Sequence, residues 1–174
     1  MTKNLDKEGL CSIVDNYQLF YVDLWGVVHN GISLHKEAIK ALKEITKKGK
    51  EYILLTNAPR PNNVVKNFLR KMGMEEDIIQ HVFTSGEASL SYLKKNLFNK
   101  TFFHVGPPRD IDLFKDFKKM ETNDIKSCEY ILCTGLFDDH NADLKFYKTL
   151  FDRNLSKKMI CTNPDLIVDR GNVR

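Results

Sequence analysis

With 174 residues, the chain can bury one sizeable hydrophobic core, or one core and part of a second. Hydrophobic residues at 42% beside charged residues at 29% describe a globular polypeptide and exclude a disordered or fibrous one. The formal charge of +4 comes from 27 basic and 23 acidic residues. The basic ones are scattered rather than gathered into a stripe with aromatics, so no nucleic-acid partner is expected.

Short apolar runs alternate with longer amphipathic stretches along the chain. Strands are predicted over Leu19–Leu24, Tyr52–Thr56, His81–Thr84, Thr101–Val105, Tyr130–Cys133 and Met159–Thr162. Helical spacing lies between them. His35–Lys48 sets Ala38, Ile39, Ala41, Leu42 and Ile45 on one face with Lys and Glu opposite. Pro61–Met72 offers Val64, Val65, Phe68 and Leu69 before a natural stop at Gly73, and Glu87–Asn96 and Ala142–Asn154 read the same way. This order predicts an α/β sandwich with a mainly parallel sheet. A soft boundary is expected near Asn96–Lys100.

No apolar stretch approaches the ~18 residues of a spanning helix, and residues 1–15 hold no signal-peptide core. A cytoplasmic location without a membrane partner is the expectation. Cys11, Cys128, Cys133 and Cys161 form no C-x-x-C pair, and no histidine stands at zinc-finger spacing. A reducing compartment suits them. No G-x-G-x-x-G follows any strand, which sets aside a dinucleotide-binding module.

Each apolar run ends in small or polar groups: Asp23, Thr56-Asn57, Thr84-Ser85-Gly86, Gly106, Thr134-Gly135 and Thr162-Asn163. Open α/β sheets bind ligands at the carboxyl ends of their strands. Turns need Gly, Asn and Thr for their own reasons as well. Asp23 carries the most information. A carboxylate at the end of an apolar strand is costly to bury unless paired, and Gly26 follows at once. Its structural alternative is a cap on the following turn. Thr56 and Asn57 end a second strand about thirty residues on. Arg60, Arg109 and Arg170 are candidate anion contacts because a planar guanidinium suits phosphate, while surface solubility also accounts for Arg60 and Arg109. His29 has two open readings, filling a turn or moving a proton. His35, His81, His104 and His140 read as structural.

The run Asp23-Leu24-Trp25-Gly26-Val27-Val28-His29-Asn30-Gly31 resembles the first motif of the haloacid dehalogenase superfamily, usually D-x-D-G-[TV]. Leu54-Leu55-Thr56-Asn57 resembles its second motif. Thr84-Ser85-Gly86-Glu87-Ala88 and Cys161-Thr162-Asn163-Pro164-Asp165, with Arg170-Gly171, are similar to segments around the cap of the class IIA subfamily, in a D-x-W-G-V-x-H-x-G form. That resemblance implies a HAD-like Rossmannoid three-layer core over residues 1–96 and an inserted α/β cap over residues 97–174. It implies a magnesium-dependent phosphatase of a small phosphorylated metabolite, acting through an aspartyl-phosphate.

In this pattern Asp23 is the nucleophile and Thr56 holds the phosphoryl group. Asp23 and the backbone carbonyl of Trp25 bind magnesium, while Trp25, Gly26, Asn57, Arg60, Asn163, Asp165 and Arg170 surround phosphate or substrate. A homodimer through the cap is implied as a possibility. Two departures modify the expectation. Trp25 stands where the family's second Asp shuttles a proton, and an indole N–H cannot do that work. The family pattern also continues past the cap to a Lys and a G-D-x-x-x-D strand that this sequence lacks, so the 174-residue chain reads as truncated and inactive by itself. The alternatives are a non-catalytic protein binding a phosphometabolite or a partner, and a dehalogenase, whose halide leaves without protonation.

Overall fold

The computed structural model describes residue 5, residues 9–140 and residues 143–165. They form two compact units, one from the residues up to Thr56 with Leu69–Val82, the other from Asn57–Phe68 and the residues from Phe83 onward.

In the first unit, β1 (Leu19–Asp23) lies parallel to β2 (Glu51–Thr56), with Phe20 beside Tyr52 and Val22 beside Leu54. Helix α1 (Lys36–Lys47) is the crossover between them and packs on β2. Its apolar stripe buries Leu42 and Ile45, each worth about 1.5–3 kcal/mol of transfer free energy. Gly49, at φ 68°, ends it in a conformation that a Cβ disfavours. Side chains alternate along β1 and β2. Tyr52 and Leu54 are buried, whereas Leu19, Tyr21, Asp23 and Leu55 on the opposite face are exposed. A parallel sheet normally has both faces covered, and this one is open on the face that carries Asp23.

Helix α2 (Asn62–Lys71) and the single turn α3 (Glu76–Ile79) lead to β3 (Val82–Thr84), which completes the order β1-β2-β3. Helix α4 (Ser85–Asn96) follows directly. It begins two residues before the predicted start because the Thr84 side chain accepts from the Glu87 N–H and caps it.

The second unit holds the parallel sheet β4 (Phe102–Val105), β5 (Tyr130–Cys133) and β6 (Lys158–Cys161), in that order. Alternation sorts its core into two layers. Phe102, Tyr130, Leu132 and Ile160 pack with Leu90, Leu93, Leu97, Leu113, Phe114 and Phe117. Phe103, Val105, Ile131 and Cys133 pack with Phe137 and with Phe146, Tyr147, Leu150 and Phe151 of α5 (Leu144–Asp152). Residues 106–129, where no element is predicted, contain two 3-10 turns, Pro108–Leu113 and Lys115–Met120. They deliver Leu113, Phe114 and Phe117 to the core. The predicted helix over Ala142–Asn154 is observed over Leu144–Asp152, with Asp143 accepting from the Phe146 N–H at 3.0 Å as its cap. Ala142 lies outside the described residues.

Candidate active site

Asp23 is the last residue of β1 and pairs in register with Leu55, so Thr56 stands one step further at the same end of the adjacent strand. The parallel pairing therefore places both residues at the same end of the strand pair. Asp23 is exposed, and its Oδ1 accepts from the Leu24 N–H at 2.8 Å. That N–H is shared with the Leu55 carbonyl at 3.2 Å, which ties the Asp23 carboxylate to the strand pair.

The turn after Asp23 is tightly organised. The Leu24 carbonyl accepts from Val28 and His29 N–H groups at 2.9 and 3.1 Å, and Gly26 N–H donates to the His29 carbonyl at 2.7 Å. Gly26 has φ 78°, a left-handed value that a side chain would strain. The Trp25 ring meets the His29 ring edge-on, with centroids 5.1 Å apart.

His29 is 3% exposed, and its Nδ1 accepts from the Gly31 N–H at 3.0 Å. An accepting Nδ1 leaves the proton of the neutral ring on Nε2. Burial lowers its pKa, His35 lowers it further, and Asp23 opposes both. Of the two readings left open by the sequence, the geometry shows the turn-filling one: a neutral imidazole that organises residues 26–31.

Within the second unit, the loop after Thr56 is clamped onto the start of α4. Thr84 Oγ1 donates to the Arg60 carbonyl at 2.6 Å, Ser85 Oγ to the Ala58 carbonyl at 3.0 Å, and Gly86 N–H to the same Ala58 carbonyl at 3.1 Å. Asn62 and Glu87 complete it, since Asn62 N–H donates to Glu87 Oε2 and Thr84 N–H to Asn62 Oδ1, both at 2.9 Å. A Cβ on Gly86 would lie 2.3 Å from the Arg60 nitrogen, so only glycine permits this approach. Sequence reasoning marked residues 84–88 but not this clamp.

Asn57 is exposed and donates from Nδ2 to Asp165 Oδ1 at 3.1 Å, while Asn163 Oδ1 accepts from the Asp165 N–H at 3.0 Å. Three of the expected substrate-facing residues thus form one chain of contacts. Arg60 lies 3.6 Å from Asp110, whose side chain is only 5% exposed. Burial raises the Asp110 pKa, and hydrogen bonding to Thr134 and the Arg60 and Arg109 charges work against that. Asp110 was missed by the sequence reading, because nothing at its position marks it as a buried partner. Arg109 pairs with Asp138 at 2.7 Å on the surface. Arg170 lies outside the described residues.

Among the described residues no group of three or more His, Cys, Asp and Glu is arranged to hold a metal ion. Asp23 offers one carboxylate, and the Trp25 carbonyl would add one neutral oxygen. Magnesium takes six oxygens in near-octahedral geometry, so these two donors do not by themselves fit it. No helix among the described residues is long and apolar enough to cross a membrane.

An open α/β architecture with an acid at the end of its first strand defines the class of protein, and comparison with known proteins refines it. The sequence profile of the haloacid dehalogenase-like hydrolases matches residues 20–118. The chain belongs to that family. A haloacid dehalogenase-like hydrolase from Brucella suis 1330 has a similar structure, with 32% identity, 99% of this chain and 64% of that one covered, and a TM-score of 0.79. A putative nagD protein is 22% identical over 91% of this chain and 64% of its own, at a TM-score of 0.64. The 4-nitrophenylphosphatase of Thermotoga maritima is 21% identical over 92% and 63%, at 0.62. The last two likenesses concern the fold, which is the Rossmannoid α/β fold expected from the sequence. The chain spans less than two thirds of the length of each of these three proteins. No curated protein sequence matches it.

Proposed function

We propose that this chain supplies the nucleophile and the cap of a class IIA phosphatase acting on a small phosphorylated metabolite. The observation that carries this reading is the placement of Asp23 and Thr56 at adjacent carboxyl ends of two parallel strands. With Oδ1 held by the Leu24 N–H, Oδ2 of Asp23 is the oxygen that attacks phosphorus, and the bond to the leaving oxygen breaks as the aspartyl-phosphate forms. The Thr56 hydroxyl donates to a non-bridging phosphoryl oxygen, where negative charge is held through the transfer. Residues 97–174 act as the cap, with Asn57, Asn163 and Asp165 as a polar set for the substrate's non-reacting part and Arg60 as its anion contact. A magnesium ion shared by Asp23 and the Trp25 carbonyl would need further donors from the substrate and from polypeptide outside the described residues. A dimer through the cap is compatible with this assignment.

The test is hydrolysis of 4-nitrophenyl phosphate by a polypeptide that includes the remaining third of the relatives' length. Asp23→Asn is expected to abolish turnover, and persistent activity would overturn the assignment. Trp25, in place of a proton-shuttling acid, favours one second reading: a protein that binds a phosphometabolite without hydrolysing it. Calorimetric titration separates the two, because binding indifferent to magnesium and without turnover supports the binding protein.

A further inference from the structure

Cys133 and Cys161 are the last residues of β5 and β6, and they are register partners. Neighbouring strands lie about 4.8 Å apart. That falls inside the Cα separation of about 4.4–6.8 Å that a disulfide spans. In-register residues of parallel strands project from the same face, so the two thiols share one side of the sheet. The Cys133 thiol is directed to the Gly135 carbonyl at 3.6 Å and the Cys161 thiol to the Asn163 carbonyl at 3.5 Å. Each reaches forward, past the end of its strand. Both are free thiols; Cys161 is exposed and Cys133 half-buried. Cys128 is 2% exposed, and its thiol is directed to the Ile125 carbonyl at 3.1 Å.

We propose that Cys133 and Cys161 are a redox modification site, closing into a reversible intrachain disulfide with oxidised glutathione or a similar small disulfide as oxidant. Burial pushes the Cys133 thiol up to about 11, and the Cys161 charge adds to the effect. The exposed Cys161 is therefore the attacking group. Its thiolate attacks one sulfur of oxidised glutathione and expels the first glutathione thiolate. Cys133, deprotonated, then attacks the Cys161 sulfur and expels the second. Two protein thiols are oxidised, one small disulfide is reduced to two thiols, and the two protons end on glutathione.

Closing the bond must draw the Cβ atoms together by roughly 1 Å from their strand spacing. Such a strained bridge belongs to the readily reduced, regulatory kind. The consequence is local to the strand ends. Thr162 already donates its N–H and its hydroxyl to the Cys133 carbonyl, at 2.9 and 3.2 Å. A covalent link one residue earlier would fix Thr134-Gly135 against Thr162-Asn163, and through Asn163 the contact of Asp165 with Asn57.

The experiment treats the reduced 174-residue chain with oxidised glutathione, blocks remaining thiols by alkylation and reads intact mass and linked peptides. The expected product has one peptide joining 133 to 161, no glutathione on either of those two residues, and full reversal by dithiothreitol. Cys133→Ser should stop at a stable glutathione adduct on Cys161, while Cys161→Ser should form no link. Cys161 is exposed, so its Ser variant keeps the test intact if Cys133→Ser fails to fold. Four alkylatable thiols after treatment would overturn the proposal. A lasting adduct on Cys161 with Cys133 present, or a link to Cys11, Cys128 or a second chain, would overturn it too.

Discussion

Single side chains decide what the site can do. Trp25 occupies the place of a proton shuttle, and general acid–base help of that kind is worth about two to four powers of ten in rate. Trp25→Asp in the longer polypeptide is accordingly expected to raise kcat toward alkyl phosphates, whose leaving oxygen needs a proton. The gain should be much smaller for 4-nitrophenyl phosphate, and an equal gain for both would show that protonation is not what Trp25 withholds. Gly86→Ala tests the clamp on the second-motif loop. Its Cβ would collide with Arg60 backbone atoms that cannot rotate away, so a loss of about 1–3 kcal/mol or more is expected in thermal unfolding. Asp23 and Thr56 were legible in the sequence because each ends an apolar run. The clamp was not, since Gly86 becomes indispensable only when the chain from Ala58 to Arg60 is folded over it.

Elements were readable where periodicity runs long enough. The six strands and the crossover helix α1 announce themselves by apolar runs and by one apolar face. The four residues of α3 are too few for a period, and the 3-10 turns over residues 108–120 bury Leu113, Phe114 and Phe117, a set with helix-like separations of three and four that is too short to announce an element. At the carboxyl ends of β4 and β5, His104 Nε2 lies 2.8 Å from Thr134 Oγ1, and Gly106 leaves them the room.

Burial lowers the His104 pKa from 6.5 to about 4, with Glu121 raising it and Lys118 lowering it. The unfolded chain thus binds this proton more readily than the folded one. The contribution is whole above pH 6.5 and is lost as the pH falls from about 6.5 towards 4. Asp110, with its raised pKa, acts in the opposite sense, losing stability as the pH rises through its window. The difference between wild type and His104→Gln isolates the imidazole. The variant should show the shallower decline of Tm between pH 6.5 and 4, and identical slopes would refute the assignment.

At the scale of the whole molecule, the first sheet leaves Tyr21 67% and Leu19 38% exposed on a face that parallel sheets normally cover. Apolar patches of this kind lead to self-association or to binding of apolar dyes. The isolated chain should show one or both at rising concentration, by light scattering and dye fluorescence. Tyr21→Lys should reduce the signal, and an unchanged signal would place the association elsewhere.

The same parallel topology has a kinetic side. Leu19 pairs with Glu51, 32 residues on, Phe102 with Tyr130 and Tyr130 with Lys158, each 28 residues on. No pairing between these strands can be made by a tight turn, so every ladder waits for a whole crossover to be gathered in. On a ribosome delivering about 5–20 residues per second, each of β1, β4 and β5 would stay unpaired for a second or more before its partner emerges. Its chance of meeting another chain is greatest in that interval.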